Sequence, residues 1–279
     1  MKFGFIGAGK VGFSLGKYLA DNNQTVVGYY SEFEEDAEEA AEFTGSKSYS
    51  NIELLVKDSD VLFLTVTDGM IETVWNQIKD TDIRGKIICH TSGALSSEVF
   101  SDISKHGGFG FSIHPLFAVS DKYHSYKELS GSYFTIEGSK EKIKDMKSLF
   151  EGLGNTVCII SKEDKVKYHG AAAIASNLVV GLIGLSEKLL IECGFDEESA
   201  HNALVPIIKG NIRHILNDGC DNALTGPIER NDISTVKKHL AVLETDDRDI
   251  YQAVSRQVLK IAKMKNEDRD YSKMEDVLK

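Results

Sequence analysis

The sequence predicts an α/β doubly wound (Rossmann) domain at residues 1–161, followed by an all-α domain at residues 162–279. Three observations lead to this fold class. A strand, a glycine-rich turn and a helix open the chain, strand and helix patterns alternate up to Ile160, and no convincing strand follows Ser161. Such alternation is typical of a mainly parallel sheet with helices on both faces. The length of 279 residues and the hydrophobic content of 42% are sufficient for two cores.

The glycine-rich turn predicts a dinucleotide-binding site. An apolar run at 3–6 predicts a buried strand, and apolar residues recur at helical spacing from Lys10 to Ala20. Between these elements the G-x-G-x-x-G spacing permits a tight turn, a close approach of phosphate to the backbone and close packing of helix on strand. The helix N terminus then offers free N–H groups to a pyrophosphate, although a turn without a ligand is the alternative. The residues assigned to the cofactor are Gly7, Ala8, Gly9, Lys10, Val11 and Gly12.

The residues after the second predicted strand, 25–30, bear on the choice between NAD and NADP. Ser31 and Glu32 follow this strand, and no Arg or Lys occurs before Lys47. A carboxylate at this distance from the glycines hydrogen-bonds ribose hydroxyls, and it repels a 2′-phosphate. The sequence therefore favours an NAD(P) cofactor with a preference for NAD. In the alternative interpretation, these acidic residues only stabilise the N terminus of the next helix, predicted at 34–43.

The rest of the first domain continues the alternation of strands and helices. Further strands are predicted at 48–49, 60–66, 86–90, 109–113, 133–136 and 156–160, and further helices at 52–56, 68–79, 97–104 and 140–153. The near-continuous apolar run at 60–66 is typical of a parallel strand that is covered on both faces. Thr67 and Asp68 follow this run, and we expect them near the nucleotide because ligands bind beyond the carboxyl ends of parallel strands. Asp68 also fits a helix N-cap.

Two further polar residues occupy predicted strand ends. Ser92 follows the strand at 86–90, and His114 follows the strand at 109–113, where Pro115 excludes a helix. Ligands and catalytic residues of α/β sheets are found at the carboxyl ends of the strands, so both are candidate catalytic residues. The alternative is that Ser92 bonds the local backbone and that His114 packs beside Pro115.

The second domain is predicted to be helical throughout. A long helix at 162–192 ends before Gly194, and further helices are expected at 197–216, 233–243 and 247–265. The charged tail at 266–279 is expected to be frayed or loosely docked. The apolar run at 171–185 contains Ser176 and Asn177 and is shorter than the roughly 20 residues of a membrane span. We therefore expect it to form a buried core helix.

Composition excludes several classes of partner. The net charge of −11 and the pI of about 5.3 argue against nucleic acids and anionic membranes, which require a basic face. The four cysteines form no C-x-x-C motif, and the first predicted strand begins at residue 3 without room for a signal peptide. We therefore expect a cytoplasmic protein with reduced thiols. The eight histidines form no H-E-x-x-H motif or Cys/His cluster, so no metal is predicted.

Five motifs occur in a specific order along the chain. They are Gly7–Gly12, His90-Thr91-Ser92-Gly93, His114-Pro115-Leu116, Tyr168–Ala172 with Ser176-Asn177, and Leu224–Arg230. With these motifs the chain resembles the Rossmann-like proteins whose helical half is described as domain of unknown function 2520. That group is similar to deazaflavin-dependent NADP reductases, pyrroline-5-carboxylate reductases and β-hydroxyacid dehydrogenases. The resemblance implies a nicotinamide cofactor, a cleft between the two domains and a homodimer formed through the helical domain.

The sequence departs from the pattern of these relatives at two positions. The wider family often has Ser-Arg after the second strand, a pair suited to NADP, whereas Ser31 is followed here by Glu32. The β-hydroxyacid dehydrogenases carry a catalytic Lys one turn before an Asn. Asn177 fits that Asn, but Ala173 and Ile174 stand where the Lys is expected.

These residues lead to a functional hypothesis. We expect hydride transfer to or from a carbonyl, imine or hydroxyl of a small metabolite in the interdomain cleft, with a dinucleotide-binding sensor as the alternative. His169 is a candidate proton donor because imidazole titrates near neutrality, or else it makes a structural hydrogen bond. Asn177 either orients the substrate or bonds the backbone. Arg230 either binds a substrate carboxylate or forms a surface ion pair with Glu229 or Asp232.

Overall fold

The structure is a computed structural model of residues 1–279, and it divides the chain into two units, Met1–Asn177 and Leu178–Lys279. The first unit contains the sheet, and the second contains only helices and connecting segments. Residues 162–177, which the sequence pattern assigned to the helical domain, lie in the first unit. The predicted fold class, a doubly wound domain followed by a helical one, is confirmed.

Eight strands form a single sheet in the first unit. They are β1 (Lys2–Ile6), β2 (Thr25–Tyr30), β3 (Lys47–Ser48), β4 (Val61–Leu64), β5 (Ile87–His90), β6 (Phe109–Pro115), β7 (Tyr133–Gly138) and β8 (Thr156–Ile159). Their spatial order is β3-β2-β1-β4-β5-β6-β7-β8, and only β6 and β7 pair antiparallel. The order reverses between β1 and β4, and open α/β sheets bind their ligands at such a switch point.

Helices cover both faces of this sheet. They are α1 (Lys10–Asp21), α2 (Glu34–Thr44), α3 (Ile52–Asp58), α4 (Asp68–Ile78), α5 (Ile143–Gly152) and α6 (Lys165–Ala175). Residues along β4 alternate between two cores: Val61 and Phe63 join the cluster that contains Phe13, whereas Leu62 and Leu64 join the cluster that contains Trp75. This alternation explains the continuous apolar run of β4, because the strand is buried on both faces.

The helix predicted at 97–104 is wrong. The segment forms only a single 3₁₀ turn, Ser97–Val99, and Ser96 makes no side-chain capping hydrogen bond. The backbone N–H of Ser97 instead donates to the buried carboxylate of Glu137, at 2.6 Å. Asp102 then adopts a left-handed conformation with φ of 59°, which prevents the helix from continuing.

The second unit is built from helices. They are α7 (Asn177–Glu192, whose first residue belongs to the first unit), α8 (Glu197–Ala223), α9 (Ile233–Val242), α10 (Thr245–Lys265) and α11 (Ser272–Val277). A kink at Gly219, with φ of 79°, interrupts α8 beyond the predicted end of this helix. The tail is not loose as expected, because Tyr271, Met274 and Leu278 are buried in the core of this unit. The Tyr271 hydroxyl also donates to the carbonyl of Glu229 at 2.6 Å.

Two expectations for the long apolar segment are also wrong. It is broken at Ser176, which has φ of −121° and ψ of −84°, so that α6 and α7 are separate helices. It is also exposed rather than buried, because many of its apolar side chains are more than half exposed, among them Val166, Ile174, Leu178 and Val180. By length and composition alone, the helical segment Lys162–Glu192 would suffice to cross a membrane, and none of its apolar window is buried.

Candidate functional site

The strand register aligns the carboxyl ends of four neighbouring strands. Ile6 of β1 pairs with Leu64 of β4, Leu64 with His90 of β5, and His90 with Ser112 of β6. The segments that follow these residues therefore emerge at the same edge of the sheet. They carry most of the residues predicted from the sequence: the glycine turn, Thr67, Asp68, Ser92 and His114.

The glycine turn packs tightly against the end of β4. Gly7 has φ of 100°, a backbone conformation that favours glycine, and its N–H donates to the carbonyl of Tyr30 at 2.8 Å. The hydroxyl of Thr65 donates to the Gly7 carbonyl at 2.6 Å. A Cβ at Gly12 would collide with this hydroxyl and with the Gly7 carbonyl oxygen. The third glycine of the motif is therefore required by helix–strand packing, as the spacing predicts.

The second glycine of the motif has a different environment. Apart from Gly9 and its two neighbours in the chain, no residue has an atom within 4 Å of the position that a Cβ would take at Gly9. Gly9 is the N-cap residue of α1, no side chain caps this helix, and its first turn contains no acidic residue. The first N–H groups of α1 and its positive dipole end thus remain available for an anion. The residues present fit the pyrophosphate of a dinucleotide.

The turn between β2 and α2 carries the acidic residue that bears on cofactor choice. Glu32 is exposed there, and Ser31 is partly buried at the end of β2. The N-cap position of α2 is occupied by Phe33 rather than by Glu32, and the helix has its own acidic first turn, Glu34–Asp36. Glu32 is thus not needed as a cap of α2, and its carboxylate is free to meet a ribose.

Ser92 is engaged in holding the loop after β5. Its side chain is buried, and its hydroxyl accepts hydrogen bonds from the N–H groups of Ala94 at 3.2 Å and Leu95 at 3.0 Å. The same hydroxyl donates to Oδ2 of Asp68, at the start of α4, at 2.8 Å. The link ties the loop after β5 to the loop after β4, and it leaves the hydroxyl without spare donor capacity.

His90 was not selected as a site residue, although it belongs to the same network. It is fully buried, its Nδ1 accepts the N–H of Ser92 at 3.2 Å, and its Nε2 lies 3.1 Å from the carbonyl oxygen of Ser96. These contacts require a neutral ring with its proton on Nε2. Burial lowers the pKa of His90 to about 4, which agrees with the neutral form. His90 thus holds the Ser92 loop through hydrogen bonds to its backbone at Ser92 and Ser96.

Lys165 is the residue that sequence reasoning missed most clearly. It opens α6, is only 1% exposed, and donates from Nζ to the carbonyl of Ser92 at 2.8 Å and to the hydroxyl of Ser112 at 2.6 Å. Burial lowers the pKa of Lys165 to about 8, opposed by the charges of Glu137 and Asp68. The sequence offers a weak signal, because Lys165 lies one helical turn before His169.

Two aromatic side chains of α6 face the end of β6. The Oη of Tyr168 lies 2.7 Å from Nδ1 of His114, and the rings of His114 and His169 are 6.2 Å apart, edge to face. A Cβ at Gly93 would collide with His169 and would lie 3.1 Å from Nε2 of His114, so this close approach requires glycine. Burial, followed by the charge of Lys165, lowers the pKa of His114 to about 4. Burial raises the pKa of Tyr168. Both groups are therefore uncharged at neutral pH.

A pocket of about 550 Å³ lies next to this group of side chains. Its walls are mostly apolar, and its polar lining groups are His114, Tyr168, His169, Ser176 and Asn177. The hydroxyl of Ser176 lies 2.7 Å from the carbonyl oxygen of Ala172, to which it donates, and 3.0 Å from the amide oxygen of Asn177. An apolar cavity with a few convergent polar groups is the usual form of a small-molecule site. His114, His169 and Asn177, predicted separately, therefore line one pocket, whereas Ser92 is not among its lining residues.

Arg230 belongs to the second unit, where it is exposed in the segment before α9. The predicted alternative, an ion pair with Glu229 or Asp232, is not formed. Glu229 lies 3.7 Å from Arg269 instead, and the carboxylate of Asp232 caps α9 through the N–H of Thr235. The guanidinium of Arg230 is therefore free of ion pairs within its own unit.

Two family models match the chain. Residues 1–115 match the Rossmann-like domain, and residues 132–258 match the domain of unknown function (DUF2520). Both parts of the family resemblance drawn from the motifs are thus confirmed. A search among curated proteins found no match.

Solved structures with the same fold cover nearly the whole chain. Protein TM1727 from Thermotoga maritima is 26% identical, with a TM-score of 0.76 over 95% of this chain and 99% of that one. The pyrroline carboxylate reductase of Plasmodium falciparum, solved with NADP bound, is 16% identical, with a TM-score of 0.61 over 95% and 96% of the two chains. The imine reductase of Myxococcus stipitatus, in complex with NADP⁺, is 17% identical, with a TM-score of 0.63 over 100% of both. At these last two identities the likeness shows the fold alone.

Proposed function

For this chain, a Rossmann-like protein with a DUF2520 domain, we propose the function of an NAD(P)-dependent oxidoreductase that acts on a carbonyl, an imine or a hydroxyl of a small metabolite. One observation carries this proposal. The open N terminus of α1 and the His114–Tyr168 pair lie at the same edge of one sheet. Three strand spacings separate β1 from β6, or about 14 Å. An extended dinucleotide bound at the glycine turn spans such a distance.

The residues have distinct roles in this proposal. The turn from Gly7 to Gly12 binds the pyrophosphate through backbone N–H groups, and Thr67 and Asp68 lie beside the nucleotide at the end of β4. When bound, the nicotinamide supplies or accepts the hydride. The chain supplies the proton transfer, which we assign to the hydrogen-bonded pair of Tyr168 and His114. His169 and Asn177 orient the substrate from the same pocket.

The uncharged state of the pair suits proton donation to a strongly basic product. An alkoxide or amide anion formed by hydride transfer is a far stronger base than a phenolate, so Tyr168 need not be unusually acidic to donate its proton. His114, with its pKa lowered to about 4, acts as the hydrogen-bonding partner and not as a stored positive charge. We include imines among the substrates because two solved neighbours are named as reductases of C=N compounds.

The cofactor is the finer part of the proposal. The two neighbours named above were solved with NADP, whereas the exposed Glu32 disfavours a 2′-phosphate by like-charge repulsion. We propose that this chain accepts NAD(P) and binds NADH more tightly than NADPH. The free guanidinium of Arg230 is proposed as a binding group for a substrate carboxylate.

The test combines binding and turnover. Wild-type protein is titrated with NADH and NADPH, with nicotinamide fluorescence as the readout, and is then assayed with a panel of oxo acids, cyclic imines and hydroxy acids. Turnover that requires His114 and Tyr168 supports the proposal. Binding of a dinucleotide with no turnover on any compound would instead identify a sensor, and the absence of binding would overturn the dinucleotide site itself.

We further propose that the protein is a cytoplasmic homodimer formed through its helical unit. Helices α7 and α8 expose many large apolar side chains, namely Leu178, Val180, Leu182, Ile191, Ile207, Ile212, Ile215 and Leu216. A second copy of the chain would bury these apolar side chains, and it would leave no backbone polar group in contact with lipid. A bilayer does not suit the break at Ser176, because the polar groups freed there would face hydrocarbon.

Light scattering after size exclusion tests the dimer. We expect twice the mass of 30.8 kDa for the wild type and a shift toward monomer for Val180→Glu. Val242→Glu, at an exposed valine of α9, is the control and should leave the mass unchanged. A monomeric wild type, or binding of the wild type to lipid vesicles, would contradict this proposal.

A further inference from the structure

Lys165 presents a problem that the proposed chemistry does not solve. Its side chain is only 1% exposed, and burying an ammonium is costly unless the group is hydrogen-bonded and balanced by opposite charge. Two hydrogen bonds satisfy it, one to the carbonyl of Ser92 and one to the hydroxyl of Ser112. Neither partner is a carboxylate. A neutral, apolar residue at this position would avoid the desolvation cost of the ammonium. The presence of a buried positive charge here therefore suggests a specific role for it.

The contacts of Lys165 join three elements that surround the pair of Tyr168 and His114. Ser92 lies in the loop after β5, Ser112 lies in β6 two residues before His114, and Lys165 itself begins α6. Ser112 donates in turn to the carbonyl of Ser92 at 3.2 Å, so the three groups form a closed triangle. The ammonium also lies 5.8 Å from the centre of the Tyr168 ring.

We propose that Lys165 is a positioning residue, whose buried ammonium fixes the start of α6 against β6 and the Ser92 loop so that Tyr168 meets His114. This inference rests on the proposed function of the pocket. Lys165 is not among the lining residues of the pocket, and its ammonium donates its hydrogen bonds to Ser92 and Ser112. It therefore acts through the pair and does not touch the substrate.

The positive charge gives this role a measurable signature. Tyr168 and His169 from α6 contact the His114 ring, the charges of Lys165, Asp68 of α4 and His90 of β5 act on it, and Thr135 of β7 bonds only its backbone carbonyl. Of these, Lys165 is the charged group that disfavours the imidazolium most, after burial itself. Removal of the ammonium with burial preserved should raise the pKa of His114. If Lys165 acted only through its packing and not through its charge, this pKa would stay unchanged.

The experiment follows the imidazole resonances of the full-length protein by NMR between pH 3 and 8, with His114→Gln to identify the signal of His114. We expect the pKa of His114 to rise in Lys165→Met and in Lys165→Gln, and to stay low in Lys165→Arg, which keeps the charge. Lys165→Gln retains hydrogen-bonding groups and serves if the methionine variant does not fold. Lys167→Met removes an exposed lysine from the same helix and is the matched control.

Turnover provides the second readout. Displacement of the pair by about 1 Å costs on the order of 100-fold in rate, so we expect a loss of that size in kcat for Lys165→Gln, with recovery in Lys165→Arg. Nucleotide affinity should remain unchanged, because the glycine turn is not involved. An unchanged His114 titration in Lys165→Gln or Lys165→Met would overturn the inference. The titration needs neither cofactor nor substrate, so it remains readable if the wild type binds no dinucleotide and the proposed function fails.

Discussion

Tyr168 and His114 meet through a hydrogen bond of 2.7 Å between Oη and Nδ1, across the boundary between α6 and β6. The two residues are 54 positions apart in the chain, and only the packing of α6 on the sheet edge brings them together. The contact gives the pocket a pair of coupled, uncharged groups. The sequence indicated single histidines as candidate catalytic groups, whereas the structure contains a hydrogen-bonded tyrosine–histidine pair.

The first prediction concerns this unit. Tyr168→Phe and His114→Gln should each lower kcat by about 10²–10⁴-fold, because each removes a group to which we assign proton transfer. Affinity for the dinucleotide should change little, since neither residue belongs to the glycine turn. Tyr133→Phe, at a tyrosine that is 55% exposed, is the control. Steady-state kinetics together with nucleotide titration separate the two effects, and full activity in Tyr168→Phe would remove the pair from the mechanism.

The second prediction separates cofactor binding from folding at the glycine turn. Gly9→Ala adds a methyl group that meets no residue beyond its two chain neighbours within 4 Å, so the protein should fold without loss of thermal stability. The same methyl group should obstruct the pyrophosphate and weaken dinucleotide binding by at least about tenfold. Gly152→Ala places a methyl group in equally open space on α5 and should leave nucleotide affinity unchanged without destabilising the fold. Equal nucleotide affinity in Gly9→Ala and the wild type would show that Gly9 does not approach a phosphate.

Local patterns predicted the architecture of the first unit because each element is specified by its own residues. The glycine spacing, the buried run of β4 and the alternation of elements all depend on short stretches of sequence. The helix at 97–104 failed because a distant residue, Glu137 on β7, captures the N–H of Ser97. No local pattern carries that information.

The pocket was harder to predict than the fold. His114, His169 and Asn177 could be predicted as candidates that line the pocket because their positions follow from strand ends and helix spacing. Lys165 was missed because a lysine at a helix start is usually exposed, and its burial depends on Ser92 and Ser112, which are far away in sequence. The exposure of α7 was missed for a related reason, because an apolar run signals burial without identifying what covers it.

The third prediction addresses the choice of cofactor. Glu32→Arg should reduce the affinity for NADH and increase it for NADPH, because the exposed side chain at the end of β2 would then attract a 2′-phosphate. Glu42→Arg makes the same charge change on α2, outside this turn, and serves as control. The ratio of the two dissociation constants, measured by fluorescence titration, is the readout. A strong NADPH preference in the wild type would show that Glu32 does not select the cofactor.

The fourth prediction concerns stability in acid, through His90. Its pKa is lowered from 6.5 to about 4 by burial, so between these pH values the unfolded state binds a proton that the folded state does not. The free energy of unfolding must therefore fall as the pH is lowered through this window, by about 3 kcal/mol at its lower end from this residue. Above pH 6.5 the ring is neutral in both states and contributes no slope.

His90→Gln tests this prediction, because it removes the titrating group while leaving His114, which titrates in the same window, in place. Urea unfolding at pH 4.5 and pH 7.5 should show a smaller loss of stability in the variant than in the wild type, even if the variant is less stable at both. His124→Gln, at an exposed histidine of the same unit, should retain most of the wild-type pH dependence. If the wild type and His90→Gln lost the same free energy of unfolding between these pH values, His90 would not be held neutral in the folded state. The Ser92 loop would then not depend on a neutral His90 ring.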